Sequence, residues 1–219
     1  MASLDSLFRY ETPEEKAVIR RTTALLIILF LAALLYATLR YIIFGPYKFN
    51  AFPIFIMNKA LALSFMMYLY ILSSPYFKRV KRSLIGMSAY GMGIMHAMFS
   101  VILLPTSYLK KYYTTDGEMA VGFSAMIFFG IVALILMIII SKGFRYQSRY
   151  NKYWATFGFE KLFLMFLIVT GLHIFVFCIN DWIRISRWYG YMPPVSLIAF
   201  IFLLGTTIHF FQRVFCKKK

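Results

Sequence analysis

The sequence of 219 residues is poor in acidic residues, cysteine and histidine. Only 15% of its residues are charged, whereas 61% are hydrophobic and the mean hydropathy is +0.72, which excludes a water-soluble core. The two cysteines, Cys178 and Cys216, fall at opposite ends of the predicted membrane spans, so we expect no intramolecular disulfide. The bilayer is therefore the expected solvent of this chain.

Nucleotide-binding motifs are also lacking. The sequence has no glycine-rich dinucleotide fingerprint after a strand, no P-loop and no CxxC pair, and it leaves no room for a nucleotide-binding domain. If the protein moves electrons, another polypeptide or a membrane quinol must supply them.

Six apolar stretches are long enough to cross ~30 Å of hydrocarbon at ~1.5 Å per residue. They predict an all-α integral membrane protein, a six-transmembrane-helix bundle with a lead-in at 1–21, a transmembrane domain at 22–212 and a basic tail at 213–219. Thr12-Pro13-Glu14-Glu15 resembles a helix start, and the acidic lead-in without a small-residue cleavage site indicates that the first span stays in the mature protein. The predicted spans are 22–44, 54–74, 83–105, 119–141, 159–180 and 193–212.

The net charge of +16 could suggest a nucleic-acid partner. However, the positive residues lie in short clusters between apolar spans, which is how membrane topology is encoded. With the N-terminus inside, 17 of the 24 Lys and Arg residues fall in inner segments, and we expect both termini in the cytoplasm of a multi-pass protein of a bacterial inner membrane, with no nucleic-acid partner. The other seven are Arg40, Lys48, Lys59, Lys110, Lys111, Arg184 and Arg187.

The three histidines, His96, His173 and His209, all fall inside predicted spans, where polar groups are costly to bury. His96 lies 14 residues beyond Arg82 at the inner end of the third span, and His173 lies 12 beyond Lys161 at the inner end of the fifth. Both therefore reach about 20 Å into the bilayer on helices that run in the same direction. Two imidazoles at matched depth predict the axial ligands of a haem.

Small residues lie on the helical face of His96. Ala89, Gly93 and Ser100 are at i−7, i−3 and i+4, and would let a porphyrin approach the backbone closely. The alternative is that both histidines only form hydrogen bonds across helix interfaces, with the small residues serving helix packing. His209, four residues before Arg213, is interpreted as an interfacial histidine without a cofactor.

Two stretches of the sequence resemble a known family. Arg82-Ser-Leu-Ile-Gly-Met-Ser-Ala-Tyr, with His96 six residues later, is similar to the third-helix signature of ferric reductase-like transmembrane domains. The stretch from Trp154 through Glu160 to His173 is similar to the family's fifth helix, and 60–75 to its second helix. The resemblance covers about residues 55 to 180.

The resemblance implies a cofactor and its ligands. Members include NADPH oxidase cores, six-transmembrane metalloreductases and the haem subunit of a bacterial methionine sulfoxide reductase system, which pass electrons through b-type haem. His96 and His173 would be the outer ligands, with Gly93 and Arg82 also at the cofactor site. A second haem would need a histidine 13 residues before His173, where this chain has Glu160.

We therefore expect one haem b, with an Arg82–Glu160 ion pair where a second haem would lie; His209, at similar depth, leaves a two-haem model open. The expected function is a b-type cytochrome membrane subunit that carries electrons toward the outer face. The donor would be a quinol or a flavoprotein docking on the basic inner loops 75–82 and 142–152, and the acceptor an outer protein or subunit. Whether the chain is itself an enzyme stays open.

Two other functions are weighed against this one. The first is a haem-free membrane scaffold or accessory subunit of a larger complex, in which the histidines are packing residues. The second is a transporter or proton path using Glu160, Arg82 and His209, which ranks last because these residues cluster at one interface instead of crossing the bilayer.

Overall fold

The computed structural model describes residues 12–49, 52–104, 113, 119–146 and 158–215. In these ranges the chain is helical and has no strand, apart from a single bridge that pairs Tyr113 with Met119. The all-α prediction is confirmed. The six long helices are α1 (Pro13–Thr38), α2 (Met57–Ser73), α3 (Arg82–Leu103), α4 (Val121–Tyr146), α5 (Phe159–Ile183) and α6 (Val195–Phe215).

Within the described ranges, six helical segments are long and apolar enough to cross a membrane. Each of them overlaps one of the six predicted spans, so the prediction of a multi-pass membrane protein is confirmed. Large aliphatic side chains such as Ile28, Leu35 and Val101 are at least 60% exposed. Such faces would be unfavourable in water and are suited to lipid.

The start of α1 follows the predicted helix signal. The Thr12 hydroxyl accepts a hydrogen bond from the Glu15 amide at 3.2 Å, and Pro13 takes the first helical position. The helix then runs without a break into the membrane span, so the second half of the expected lead-in belongs to α1. Residues 1–11 of that lead-in lie outside the described residues.

Helix α2 is the centre of the bundle. In its span 67% of the residues are buried, against 17% to 33% in the other five spans. It packs against α1, α3 and α6, while α4 packs chiefly against α5. Helices α3 and α5, which carry the two candidate ligands, have no extensive direct packing against one another.

A buried tyrosine joins α2 to α1. The Tyr68 hydroxyl donates to the carbonyl oxygen of Leu26 at 2.6 Å, and the side chain is 1% exposed. We expect Tyr68→Phe to lower the free energy of unfolding in detergent by about 0.5 to 1 kcal/mol, because an unpaired carbonyl stays behind. Tyr90→Phe, at a tyrosine with no hydrogen bond recorded among the described residues, is the matched control, and equal stability of the two variants would contradict the prediction.

We call the end of the bundle where α3 and α5 begin the Arg82 end, and the opposite end, where α1 ends, the Arg40 end. At the Arg82 end, where α3 and α5 begin, Lys81 forms an ion pair with Glu15, and its amide donates to the Thr22 hydroxyl at 2.9 Å. At the Arg40 end, Tyr36 donates to the carbonyl oxygen of Pro193 at 2.6 Å. These contacts fix α1 to the rest of the bundle at both ends.

Candidate functional site

The imidazole of His96 is held by a side chain of α2. His96 Nδ1 lies 2.6 Å from Asn58 Oδ1, and Asn58 Nδ2 donates to the Ser100 hydroxyl at 3.1 Å. Since the Asn58 amide nitrogen is used as a donor, its oxygen is the acceptor for His96. The proton of a neutral His96 therefore lies on Nδ1, and the lone pair lies on Nε2.

His173 is held by the backbone of α4. Its Nδ1 donates to the carbonyl oxygen of Met126 at 2.8 Å. A Cβ atom added at Gly130 would lie 2.9 Å from that Nδ1 and 3.0 Å from Cε1, closer than real Cβ contacts. Only glycine at position 130 lets α4 approach this ring so closely.

The two histidines thus have the same arrangement. In each, Nδ1 is fixed by an oxygen acceptor, and no hydrogen bond to Nε2 occurs within the described part of the chain. This is the usual state of an imidazole that ligates a metal through Nε2. Both residues are 14 positions beyond the first residue of their helix.

The small-residue face beside His96 is occupied by other side chains. The position of a Cβ on Gly93 would lie 2.8 Å from Met137 Sδ and 3.3 Å from Phe65 Cε2. Ser100 is bonded to Asn58 instead of lining open space. Met137 is a flexible side chain that could move aside for a ligand. Gly93 as a cofactor-binding residue stays a prediction.

Sequence reasoning missed Asn58 and used Lys59 only for topology. Asn58 is 6% exposed, and the ammonium of Lys59 interacts electrostatically with both candidate ligands. The signal was available, because two adjacent polar residues inside an apolar span are costly and point to a function. Gly130 and Met126 gave no comparable signal, since neither differs from ordinary helix-packing residues.

The expected Arg82–Glu160 ion pair is wrong. Arg82 instead donates from its guanidinium to the carbonyl oxygen of Leu72 at 3.1 Å and to that of Ser74 at 3.5 Å. These carbonyls lie at the C-terminus of α2, where the helix dipole attracts a cation. Glu160 is exposed at the start of α5. The role of Arg82 as a cofactor-binding residue stays a prediction.

His209 lies among aromatic rings near the Arg82 end. Its ring centroid is 5.4 Å from that of Tyr70 and 5.8 Å from that of Tyr76, and its Nδ1 is 3.3 Å from Gln212 Oε1. These neighbours suit the interfacial role that we predict for it.

No group of three or more His, Cys, Asp or Glu residues able to hold a metal ion occurs in the part of the chain that the structure describes. A bis-histidine haem would not need such a group, because the porphyrin contributes the other four donors.

Neither a family model nor a curated protein matches this sequence. The resemblance to ferric reductase-like transmembrane domains therefore stays a prediction.

Proposed function

We propose that this chain is a b-type cytochrome membrane subunit that holds one haem b through His96 and His173. The observation that carries the proposal is the matched pair of imidazoles, each with Nδ1 fixed by an oxygen acceptor and Nε2 left for a ligand. If the two histidines only formed hydrogen bonds at helix interfaces, they would have no reason to lie at equal depth on parallel helices. The donor set fits the cofactor that the sequence predicts.

The residues of the chain have separable tasks at this site. The haem, when bound, would accept and release one electron at a time. Asn58 and the Met126 carbonyl hold the imidazoles in one tautomer and orientation. The apolar helices exclude water, and because α3 and α5 do not pack extensively against one another in the described residues, the relative position of the two ligands stays adjustable.

The distribution of charge supports an orientation, and the exposed basic residues mark where a donor protein would dock. With 17 of 24 cationic residues on the side of the Arg82 end, that end would face the cytoplasm of a bacterium and the Arg40 end the outside. Lys78 and Arg79 are exposed in the loop before α3, where a flavoprotein donor would dock; a quinol is the other donor we consider. Most of the second basic loop, 142–152, lies outside the described residues.

One haem is preferred over two. The position on α5 where a second axial histidine would be needed carries exposed Glu160, and a carboxylate is a poor ligand for b-type haem. A haem-to-protein ratio near one is expected for protein purified after haem-sufficient expression, measured by the pyridine haemochrome. A ratio near two would overturn the one-haem proposal.

A haem-free scaffold or accessory subunit is the second candidate. The close approach of Met137 and Phe65 to Gly93 favours it, because this face of α3 is already filled by protein. The same purified sample distinguishes the cytochrome from the scaffold. Absence of b-type absorbance would favour the scaffold, and a low-spin Soret and α-band spectrum would exclude it.

Asn58 is expected to set the reduction potential of the bound haem. A hydrogen bond from ligand Nδ1 to an acceptor makes the imidazole more basic and favours ferric iron. Asn58→Leu should therefore raise the midpoint potential and Asn58→Asp should lower it, with low-spin ligation retained in both. Redox titration of the α band measures this, and shifts of the same sign in both variants would contradict the role of Asn58.

A further inference from the structure

A buried arginine lies where α1 ends. Arg40 is 3% exposed, and its guanidinium lies beside two tyrosine rings that contact each other, 5.3 Å from the centroid of Tyr41 and 5.2 Å from that of Tyr189. It donates from Nη1 to the carbonyl oxygen of Met192, while its Nε is buried and has no hydrogen-bond partner among the described residues. A buried cation with an unsatisfied donor is costly unless an anion compensates it.

Lys59 on α2 adds a second cation nearby. Its ammonium interacts electrostatically with Arg40 and with both candidate haem ligands. It lies 5.3 Å from the centroid of the Phe55 ring, and no carboxylate oxygen of the described residues comes within 4.0 Å of it. Both cations therefore lie toward the Arg40 end of the bundle, and Lys59 directly follows Asn58, which contacts His96.

Negative charge at this end does not balance them. Among the described residues, Asp181 is the acidic residue here, and it attracts Lys59 only at longer range. Because both cations lie inside segments that are long and apolar enough to cross a membrane, Arg40 just after α1 and Lys59 on α2, solvation by bulk water does not explain their position. The arrangement calls for an anion with oxygen acceptors.

We propose that Arg40 and Lys59 form the binding site for the two propionate carboxylates of the haem. The proposal rests on the function proposed above. Haem has an apolar macrocycle and two carboxylates on one edge, so in a bilayer its carboxylates need cationic partners. Of these two cations, Lys59 interacts electrostatically with both ligand histidines and with Arg40. The carboxylates would therefore point toward the Arg40 end, which is the outer face in the proposed orientation.

The test compares haem with its dimethyl ester, in which both carboxylates are neutral. Haem-free protein in nanodiscs of phosphatidylcholine is titrated with each compound, and the low-spin bis-histidine absorbance reports binding. The wild type should bind haem at least about tenfold more tightly than the ester, as charge-assisted hydrogen bonds predict. Lys59→Met and Arg40→Met should reduce this ratio toward one without weakening ester binding.

Lys48→Met removes an exposed lysine at the same end and should leave the ratio unchanged. Equal wild-type affinity for haem and ester, with a bis-histidine spectrum, would overturn the propionate site while the proposed function stands. A wild type that binds neither compound would overturn the proposed function and this site together. If Arg40→Met fails to fold, Lys59→Met and the comparison of haem with its ester still test the propionate site.

Discussion

Alanine in place of His96 or His173 is expected to abolish the low-spin bis-histidine spectrum and to lower haem content severalfold or more. Each imidazole would hold one of two axial positions, so removing either leaves at most one strong protein ligand on the iron. The neighbouring groups cannot replace it, because Asn58 and the Met126 carbonyl already contact the Nδ1 sides of the rings. Pyridine haemochrome content and the α-band position measure the effect.

His209→Ala is the matched control for this experiment. His209 lies among Tyr70 and Tyr76 near the opposite end of the bundle, so its loss should leave haem content unchanged. Retention of the low-spin signal in both single variants would remove His96 and His173 as ligands. A loss of half the haem in His209→Ala would instead support the two-haem model.

Gly130→Ala is expected to reduce haem binding strongly, although it adds only one methyl group. Alanine normally stabilises a helix relative to glycine by about 1 kcal/mol. At position 130 the added Cβ would lie 2.9 Å from His173 Nδ1, so either the imidazole turns away or α4 moves off α5. We expect loss of the hydrogen bond to Met126 and loss of most of the low-spin haem signal.

Two other glycines provide controls for Gly130→Ala. A Cβ at Gly91 meets nothing within 4 Å, so Gly91→Ala should keep full haem content and equal or higher thermal stability. At Gly93 the closest atom belongs to the flexible end of Met137. The haem content of Gly93→Ala should therefore lie between that of Gly130→Ala and that of Gly91→Ala. If Gly130→Ala holds haem as well as Gly91→Ala does, the backbone of α4 is not what positions His173.

The membrane spans could be predicted because length and apolar composition are local properties of the sequence. The matching positions of His96 and His173 along their helices were also predictable, since helical rise converts sequence position into height along a helix. Their partners were not, because the contacts of Asn58 with α3 and of Gly130 with α5 depend on how helices are rotated against one another. Periodicity alone does not define that rotation.

The Arg82–Glu160 ion pair shows where charge matching misleads. Opposite charges at equal depth suggested a pair, but the carbonyls at the end of α2 lie nearer to Arg82 and compete for its guanidinium. A prediction from side-chain charges alone does not include the unpaired backbone carbonyl groups at the C-terminus of every helix, which also attract a cation. At Gly93 the space beside the backbone is taken by Met137 from another helix, a contact that depends on helix rotation in the same way.

The enclosed position of α2 has a consequence for how this sequence can vary. A residue on α2 meets α1, α3 or α6 at almost every turn, so a substitution there must suit several neighbours at once. The outward faces of α1 and α4, by contrast, can exchange one aliphatic residue for another with little penalty. Mutational tolerance should therefore be lowest along α2, although this helix carries no candidate iron ligand, because it carries Asn58 and holds the ligand-bearing α3 in place.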